Sequence, residues 1–240
     1  QARRVVAAAC PLASTAGIAV GRSVTDALAL DPSLMVAAAD PAADHKALEA
    51  LADWCGRYTP QVAIDPSGRD IGDGGLWLDI TGCAHLFGGE SALLDDLLIR
   101  LASFGWTGQA ALADTPGAAW AVARFGDRAV RVVEPGAQRA AIARLPLAAL
   151  RLPPAVVEGL DRVGLRQVET LISVARSPLT ARFGSSVALR LDQALGLAPE
   201  PISPQAPTFP HRVRLSLPEP IVTTEDVGLA TQRLLARLIE

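Results

Sequence analysis

Residues 72–88, Gly-Asp-Gly-Gly-Leu-Trp-Leu-Asp-Ile-Thr-Gly-Cys-Ala-His-Leu-Phe-Gly, constrain the fold more than any other stretch of the chain. Leu76, Leu78 and Ile80 alternate with Trp77, Asp79 and Thr81. A period of two carried by large and β-branched residues predicts a strand over 76–81. Glycines stand on both sides of it as breakers. Leu86-Phe87 then leads into a segment in which Leu93, Leu94, Leu97, Leu98 and Leu101 share one helical face. A strand that turns at glycine and feeds an amphipathic helix, expected over 91–104, is a βα unit.

The pattern extends on both sides. Residues 4–9 read as a short strand, 17–23 as a turn-rich passage and 24–30 as a helix stopped before Pro32. Leu34 to Ala37 reads as a buried strand. Asp40-Pro41 places an N-cap and a first-turn proline ahead of a helix over 41–58. Leu48, Leu51, Trp54, Cys55 and Tyr58 form its buried face. A strand at 61–64 and a Gly/Asp/Pro-rich loop at 65–75 precede the central strand. Strand 109–113, a helix capped by Thr115-Pro116 and strand 130–133 follow. The alternation predicts an α+β sheet with its helices on one side and right-handed crossovers.

Beyond Pro135 the character changes. Residues 137–198 read as short helices, broken at Leu145-Pro146-Leu147 and Leu152-Pro153-Pro154 and ended at Gly164, Phe183-Gly184 and Gly196, with Ser177-Pro178 capping one of them. A proline-rich run, 199–210, is an extended linker. Arg212 to Leu217 alternates as a strand would, and 224–240 is helical.

Half of the residues are hydrophobic, enough for a sizeable core within 240 residues, and no apolar run is long enough to span a membrane. Gln1 stands where an initiator Met would, and the leucine-rich pattern at Leu234–Ile239 is interrupted, so a fragment lacking both ends is expected. Net charge is −3, which excludes a strongly basic whole-domain footprint for nucleic acid. Of the 22 basic residues only Lys46 is a lysine, so any DNA contact falls to local arginines. Cys10, Cys55 and Cys83 are widely spaced and imply neither a zinc site nor a disulfide framework. His45, His85 and His211 are isolated, with no nucleophile motif nearby, and Gly88-Gly89-Glu90 lacks the Lys-Ser/Thr of a phosphate loop.

The string Leu-Trp-Leu-Asp-Ile-Thr-Gly followed by His-Leu-Phe-Gly-Gly resembles the palm strand of the Y-family (UmuC/DinB-like) DNA polymerases, in their ImuB-type branch. Arg182-Phe183-Gly184 adds a second anchor in the expected order. The resemblance implies a ferredoxin-like palm with part of the fingers over 1–135 and a small helix-hairpin-helix-like thumb over 136–198. It further implies a linker over 199–211 and the truncated start of a little-finger domain over 212–240.

Against that pattern the chain departs where chemistry would sit. Nucleotidyl transfer needs two divalent cations held by converging carboxylates, because Mg²⁺ prefers oxygen ligands. Active relatives carry an acidic pair just before the central strand, and here the matching positions are Gly74 and Gly75. Asp65, Asp70 and Asp73 share that loop. Two readings stand: displaced metal ligands, or a solvated acidic loop. The triphosphate contacts expected by resemblance have become Pro11, Ser14, Pro116 and Trp120, none of them charged. In the thumb the expected glycine hairpin is Arg151-Leu152-Pro153-Pro154, and proline has no N–H to give a phosphate. Arg151, Arg166, Arg182, Arg190, Arg212 and Arg214 remain candidates for DNA-backbone contact.

The resemblance therefore implies a non-catalytic, cytoplasmic adaptor in SOS-induced translesion synthesis and DNA-damage repair. Its expected partners are DNA, a sliding clamp, an error-prone replicative-type polymerase and a RecA-like accessory protein; no cofactor is expected. The alternatives are an active lesion-bypass polymerase using Mg²⁺ on displaced acidic residues, and a simple helix-hairpin-helix DNA-binding module.

Overall fold

The structure is a computed structural model that describes residues 4–65, 74–126, 130–205, 213–217, 220 and 222–239. The order of elements is α1 (Pro11–Thr15), α2 (Val24–Leu30), α3 (Pro41–Cys55), β1 (Val62–Ile64), β2 (Leu76–Leu78), α4 (Glu90–Ser103), β3 (Ala110–Leu112), α5 (Pro116–Phe125) and β4 (Val130–Val132). It continues with α6 (Gln138–Ile142), α7 (Pro154–Asp161), α8 (Val168–Ile172), α9 (Arg176–Phe183), α10 (Ser185–Leu195) and α11 (Thr224–Ile239). Short 3-10 turns stand at Ala84–Phe87 and Leu147–Leu150.

Side chains set the helix starts. Ser23, Asp40 and Thr115 accept backbone N–H bonds from Asp26, Ala43 and Ala118 at 3.0, 3.0 and 3.2 Å, satisfying donors that the first turn leaves open. Pro41 and Pro116 take first-turn positions, where a missing N–H costs nothing. At the end of α10, Gly196 turns left-handed at φ 78°.

The described strands form two pairs rather than one sheet. β1 and β2 are antiparallel, with Val62 opposite Leu78 and Ile64 opposite Leu76. β3 and β4 are parallel, with Ala110 opposite Val130. Residues 76–80 and 109–113 line a common cleft of about 1500 Å³, to which α4 contributes Leu93, Leu97 and Leu101. So the continuous sheet expected from the β-α-β-α-β order is divided along this cleft among the described residues.

Among the described residues three apolar cores result. The largest joins Ala118, Ala121 and Val122 of α5 to Leu147, Leu150, Leu160, Leu171, Leu179 and Leu191 of the helical segment, so it draws on both sides of residue 135. A second packs Cys55, Tyr58, Val62, Leu93 and Leu97, with the aromatic rings of Trp54, Tyr58, Phe87 and Phe104 in edge-to-face or tilted contact. A small third core holds Ala13, Ile18 and Ala27.

Four expectations change. Residues 4–9 make no strand; Val5 only bridges Ser23. Residues 34–37 are not a buried strand: Met35 is 96% exposed, because no neighbouring strand among the described residues takes up its backbone bonds. Of the strand expected over 212–217, Arg212 lies outside the described residues, and 213–217 have no ladder partner among the described residues. Helix α9 starts at Arg176 after Ala175, without a side-chain cap, so Ser177 lies inside it.

The chain divides into two units, Gln1–Pro204 and Gln205–Glu240. In the second unit α11 starts at a Thr223 hydroxyl that accepts the Asp226 N–H at 3.1 Å. No described helix is long and apolar enough to cross a membrane.

Candidate functional site at the mouth of β2

Strand β1 delivers Asp65 to the mouth of the β1–β2 hairpin, where its N–H donates to the Gly75 carbonyl at 2.9 Å. Its side chain is buried, only 2% of the residue remaining exposed. The indole N–H of Trp120 donates to Asp65 Oδ2 at 2.7 Å. A buried carboxylate needs such a donor, since its desolvation is otherwise uncompensated. Gly75 is close-packed here: a Cβ at that position would lie 3.4 Å from Arg124 Nη2 and 3.6 Å from Asp65 Oδ2. Arg124 stacks on Trp120, its Cζ 5.0 Å from the ring centroid. A Cβ on Gly74 would meet the Leu48 methyl at 3.1 Å.

The next layer is Arg151. It ends the 3-10 turn Leu147–Leu150 with φ 55°, a left-handed conformation rare for a side chain of this size. Its guanidinium lies 5.4 Å from the Trp77 centroid and 5.7 Å from the Trp120 centroid. Arg151 Nη2 is 2.6 Å from Glu200 Oε1 and 2.8 Å from Oε2, both side chains being 9% exposed. Arg190 Nη1 reaches the same Glu200 Oε1 at 2.7 Å and Gln193 Oε1 at 3.2 Å. Burial pulls the Arg151 pKa down from its ordinary value, and Glu200 opposes that shift. Arg151 Nε is buried with no hydrogen-bond partner among the described residues.

Asp79, just beyond β2, is exposed and turns its carboxylate onto Thr81, whose N–H donates at 3.0 Å. Hydrogen bonding by Thr81 holds the Asp79 carboxyl below its usual range. This is a turn-stabilising role.

Of the three acidic candidates only Asp65 is described; Asp70 and Asp73 lie outside the described residues. Among the described residues no group of three or more His, Cys, Asp or Glu side chains is placed to hold a metal ion. Of the arginine candidates, Arg151 and Arg190 are brought together on Glu200, and Arg151 is buried rather than presented to solvent. Arg166 is exposed and pairs with Asp161 at 2.7 Å. Exposed Arg182 lies over the Phe183 ring at 5.4 Å. Arg214 is exposed in the second unit, and Arg212 lies outside the described residues.

Sequence reasoning missed Glu200, Arg124 and the structural part of Trp77 and Trp120. Glu200 had one cue, a lone acid between Pro199 and Pro201. Its partners are 49 and 10 residues away, beyond any local pattern.

Protein ImuB of Caulobacter vibrioides, from strain NA1000 / CB15N and equally from strain ATCC 19089, is 50% identical over 220 residues. The match takes in 92% of this chain and 46% of the relative, so the chain spans about half the length of the curated relatives it matches. Among solved structures, DinB from Sulfolobus solfataricus aligns with a TM-score of 0.62 at 14% identity, over 80% of this chain and 56% of that one. A ternary complex of Dbh aligns with a TM-score of 0.65 at 15% identity, over 83% and 59%. At such identities these two establish the fold alone, a mixed arrangement of helix and sheet like that of Y-family polymerase domains. Residues 1–124 match the impB/mucB/samB family, and the chain belongs to that family, the UmuC/DinB-like Y-family polymerases and their relatives, with its similarity in the ImuB branch.

Proposed function

We propose that this chain is a non-catalytic Y-family homologue that acts as an adaptor in translesion DNA synthesis and damage-induced mutagenesis. The observation that carries the reading is the mouth of β2. Gly74 and Gly75 stand where the family's acidic pair is expected, and the neighbouring Asp65 carboxylate is engaged by the Trp120 indole. In this reading residues 1–135 are palm and part of the fingers, 136–198 the thumb, 199–211 a linker and 212–240 the start of the little finger. The exposed Arg166, Arg182 and Arg214, with Arg212, touch the DNA backbone weakly and without sequence preference. A sliding clamp, an error-prone replicative-type polymerase and a RecA-like protein are its partners in the cytoplasm, and no cofactor is required.

The test is primer extension by the full-length protein with Mg²⁺ or Mn²⁺. The adaptor reading expects no incorporation. Robust incorporation that Asp73→Ala abolishes would overturn it in favour of the active lesion-bypass polymerase. Restoring the pair as Gly74→Asp/Gly75→Glu is also expected to give no activity. The new Glu side chain would start 3.4 Å from the Arg124 guanidinium, which would draw its carboxylate.

A further inference from the structure

We propose that Glu200 is a conformational clasp: its carboxylate pins the strap of residues 199–204 onto the first unit, and release of that one side chain frees the strap as extra leash ahead of Gln205. The strap, Pro-Glu-Pro-Ile-Ser-Pro, follows α10 and lies on neither helix nor strand. Pro199, Pro201 and Pro204 have no N–H to donate. Among the described residues no backbone–backbone hydrogen bond reaches 199–204. Gln193 Nε2 donates to the Pro199 carbonyl at 3.2 Å, at the start of the strap. Ile202 is half-buried and Ser203 is exposed. Beyond Pro199 the polar hold among the described residues rests on Glu200, through Arg151 at 2.6 Å and the partly exposed Arg190 at 2.7 Å. The connection into α8 is held otherwise. There the Leu147 N–H donates to the Arg166 carbonyl at 3.3 Å and the Val168 N–H to the Leu145 carbonyl at 3.0 Å, so no single side chain decides whether it stays in place.

Two features keep the clasped state from being a permanent one. Taking both partners out of water cancels much of the attraction between Glu200 and Arg151, whose side chains are each 9% exposed. Arg151 adds a left-handed φ of 55° and a buried Nε without a hydrogen-bond partner among the described residues, which water satisfies once the strap lifts. Release also breaks no regular element. Each proline biases the residue before it toward extended backbone, so the freed strap stays stretched. At about 3.1 Å per residue, residues 199–204 then add roughly 19 Å to the chain leading into the second unit. The strap thus has two settings, a short leash and a long one, and neither depends on DNA or on a partner protein.

Backbone amide NMR relaxation at Ile202 and Ser203 tests the clasp, since order parameters of about 0.85 mark a rigid backbone and values below about 0.6 a flexible one. In the unaltered chain both residues should lie above about 0.6, and Glu200→Gln should drop both below it. That variant leaves Arg151 charged and buried without its carboxylate, so Arg151→Met/Glu200→Gln serves as the second. With both charges gone neither is orphaned, and the strap has still lost its clasp. In the double variant the two strap residues should again fall below about 0.6. The core amides of Val122 and Leu191 should exchange no more than about tenfold faster than in the parent. A strap that stays ordered in a folded Glu200→Gln or in the double variant, or that is already mobile in the unaltered chain, overturns the clasp. So does a double variant whose core exchange rises by more than about tenfold, which would make the pair a keystone of the first unit.

Discussion

In the larger core, α5 and α10 approach so closely that a Cβ on Gly117 would lie 2.8 Å from Ala194 Cα. Thr115 ties the same crossing, accepting from Ala118 and donating to the Ala194 carbonyl at 3.0 Å. A few residues along α5, Trp120 and Arg124 turn toward the mouth of β2, where packing depends on a buried carboxylate, stacked guanidinium groups and a strained arginine. One helix thus serves two regimes. The core is apolar, regular and without spare volume; the seam is polar, irregular and partly unsatisfied. The difference indicates that stability is concentrated in the α5–α10 crossing. The seam can then carry a costly arrangement, because buried ion pairs are weak contributors to net stability even when well formed.

Breaking the core side first should give the largest effect. Gly117→Val drives a branched side chain into the backbone of α10, which cannot yield as a flexible side chain would. The expected loss is at least about 3 kcal/mol. For a chain of this size that corresponds to a fall in Tm of roughly 6–12 °C, measurable by calorimetry. A loss under about 1 kcal/mol would mean that the crossing is looser than its geometry implies.

The seam should answer more mildly. Arg151→Met removes the guanidinium shared with Glu200 but leaves Arg190 on that carboxylate. The expected loss is therefore about 2 kcal/mol, below the 3–5 kcal/mol roughly typical of orphaning a buried charge. Denaturant unfolding would measure it. A loss equal to that of Gly117→Val would erase the distinction between core and seam. Asp65→Asn keeps an oxygen for the Trp120 N–H and removes the carboxylate's charge, so a loss of about 1 kcal/mol is expected. Trp120 emission should shift in the same variant, reporting the altered indole bond.

The two regimes also differ in how far the sequence discloses them. The α5 start was legible in Thr115-Pro116, the α3 start in Asp40-Pro41, and the leucine face of α4 in its spacing, because each is fixed by residues within one or two turns. Glycine at 74 and 75 was legible by resemblance. The seam was not. Its bonds join residue 65 to 120 and 151 to 200, and no periodicity encodes such pairings. Arg151 looked like a surface cation beside two prolines, and only the tertiary structure shows it left-handed and buried. The division of the strands into two pairs was hidden for the same reason: alternation identifies a strand without naming its neighbour. The apolar run at Leu34–Ala37 misled in the opposite direction, since hydrophobicity alone cannot bury a segment that has no strand beside it among the described residues.

A third polar cluster, on the rim of the smaller core, calibrates both and carries the smallest effect. The buried Tyr58 ring sends its hydroxyl to Asp96 Oδ2 at 2.7 Å, and Arg100 Nε donates to the same carboxylate at 2.8 Å. Burial, followed by the Asp96 hydrogen bond, raises the Tyr58 pKa, so the phenol stays protonated and donating. Hydrogen bonds from Arg100, then from Tyr58, hold the Asp96 carboxyl below its ordinary 3.8. The folded value lies under the unfolded one, so the contribution of Asp96 is fully present above the unfolded pKa. It fades as pH falls through the folded pKa. Stability measured from neutral pH down to about pH 3 should therefore decline more steeply in the parent chain than in Asp96→Asn. At neutral pH the two should differ less than Asp65→Asn differs from its parent, because solvent screens the Asp96–Arg100 pair and does not reach Asp65. Parallel acid profiles would place the Tyr58 hydroxyl bond outside the pH-linked stability, leaving the smaller core to rest on its aromatic packing alone.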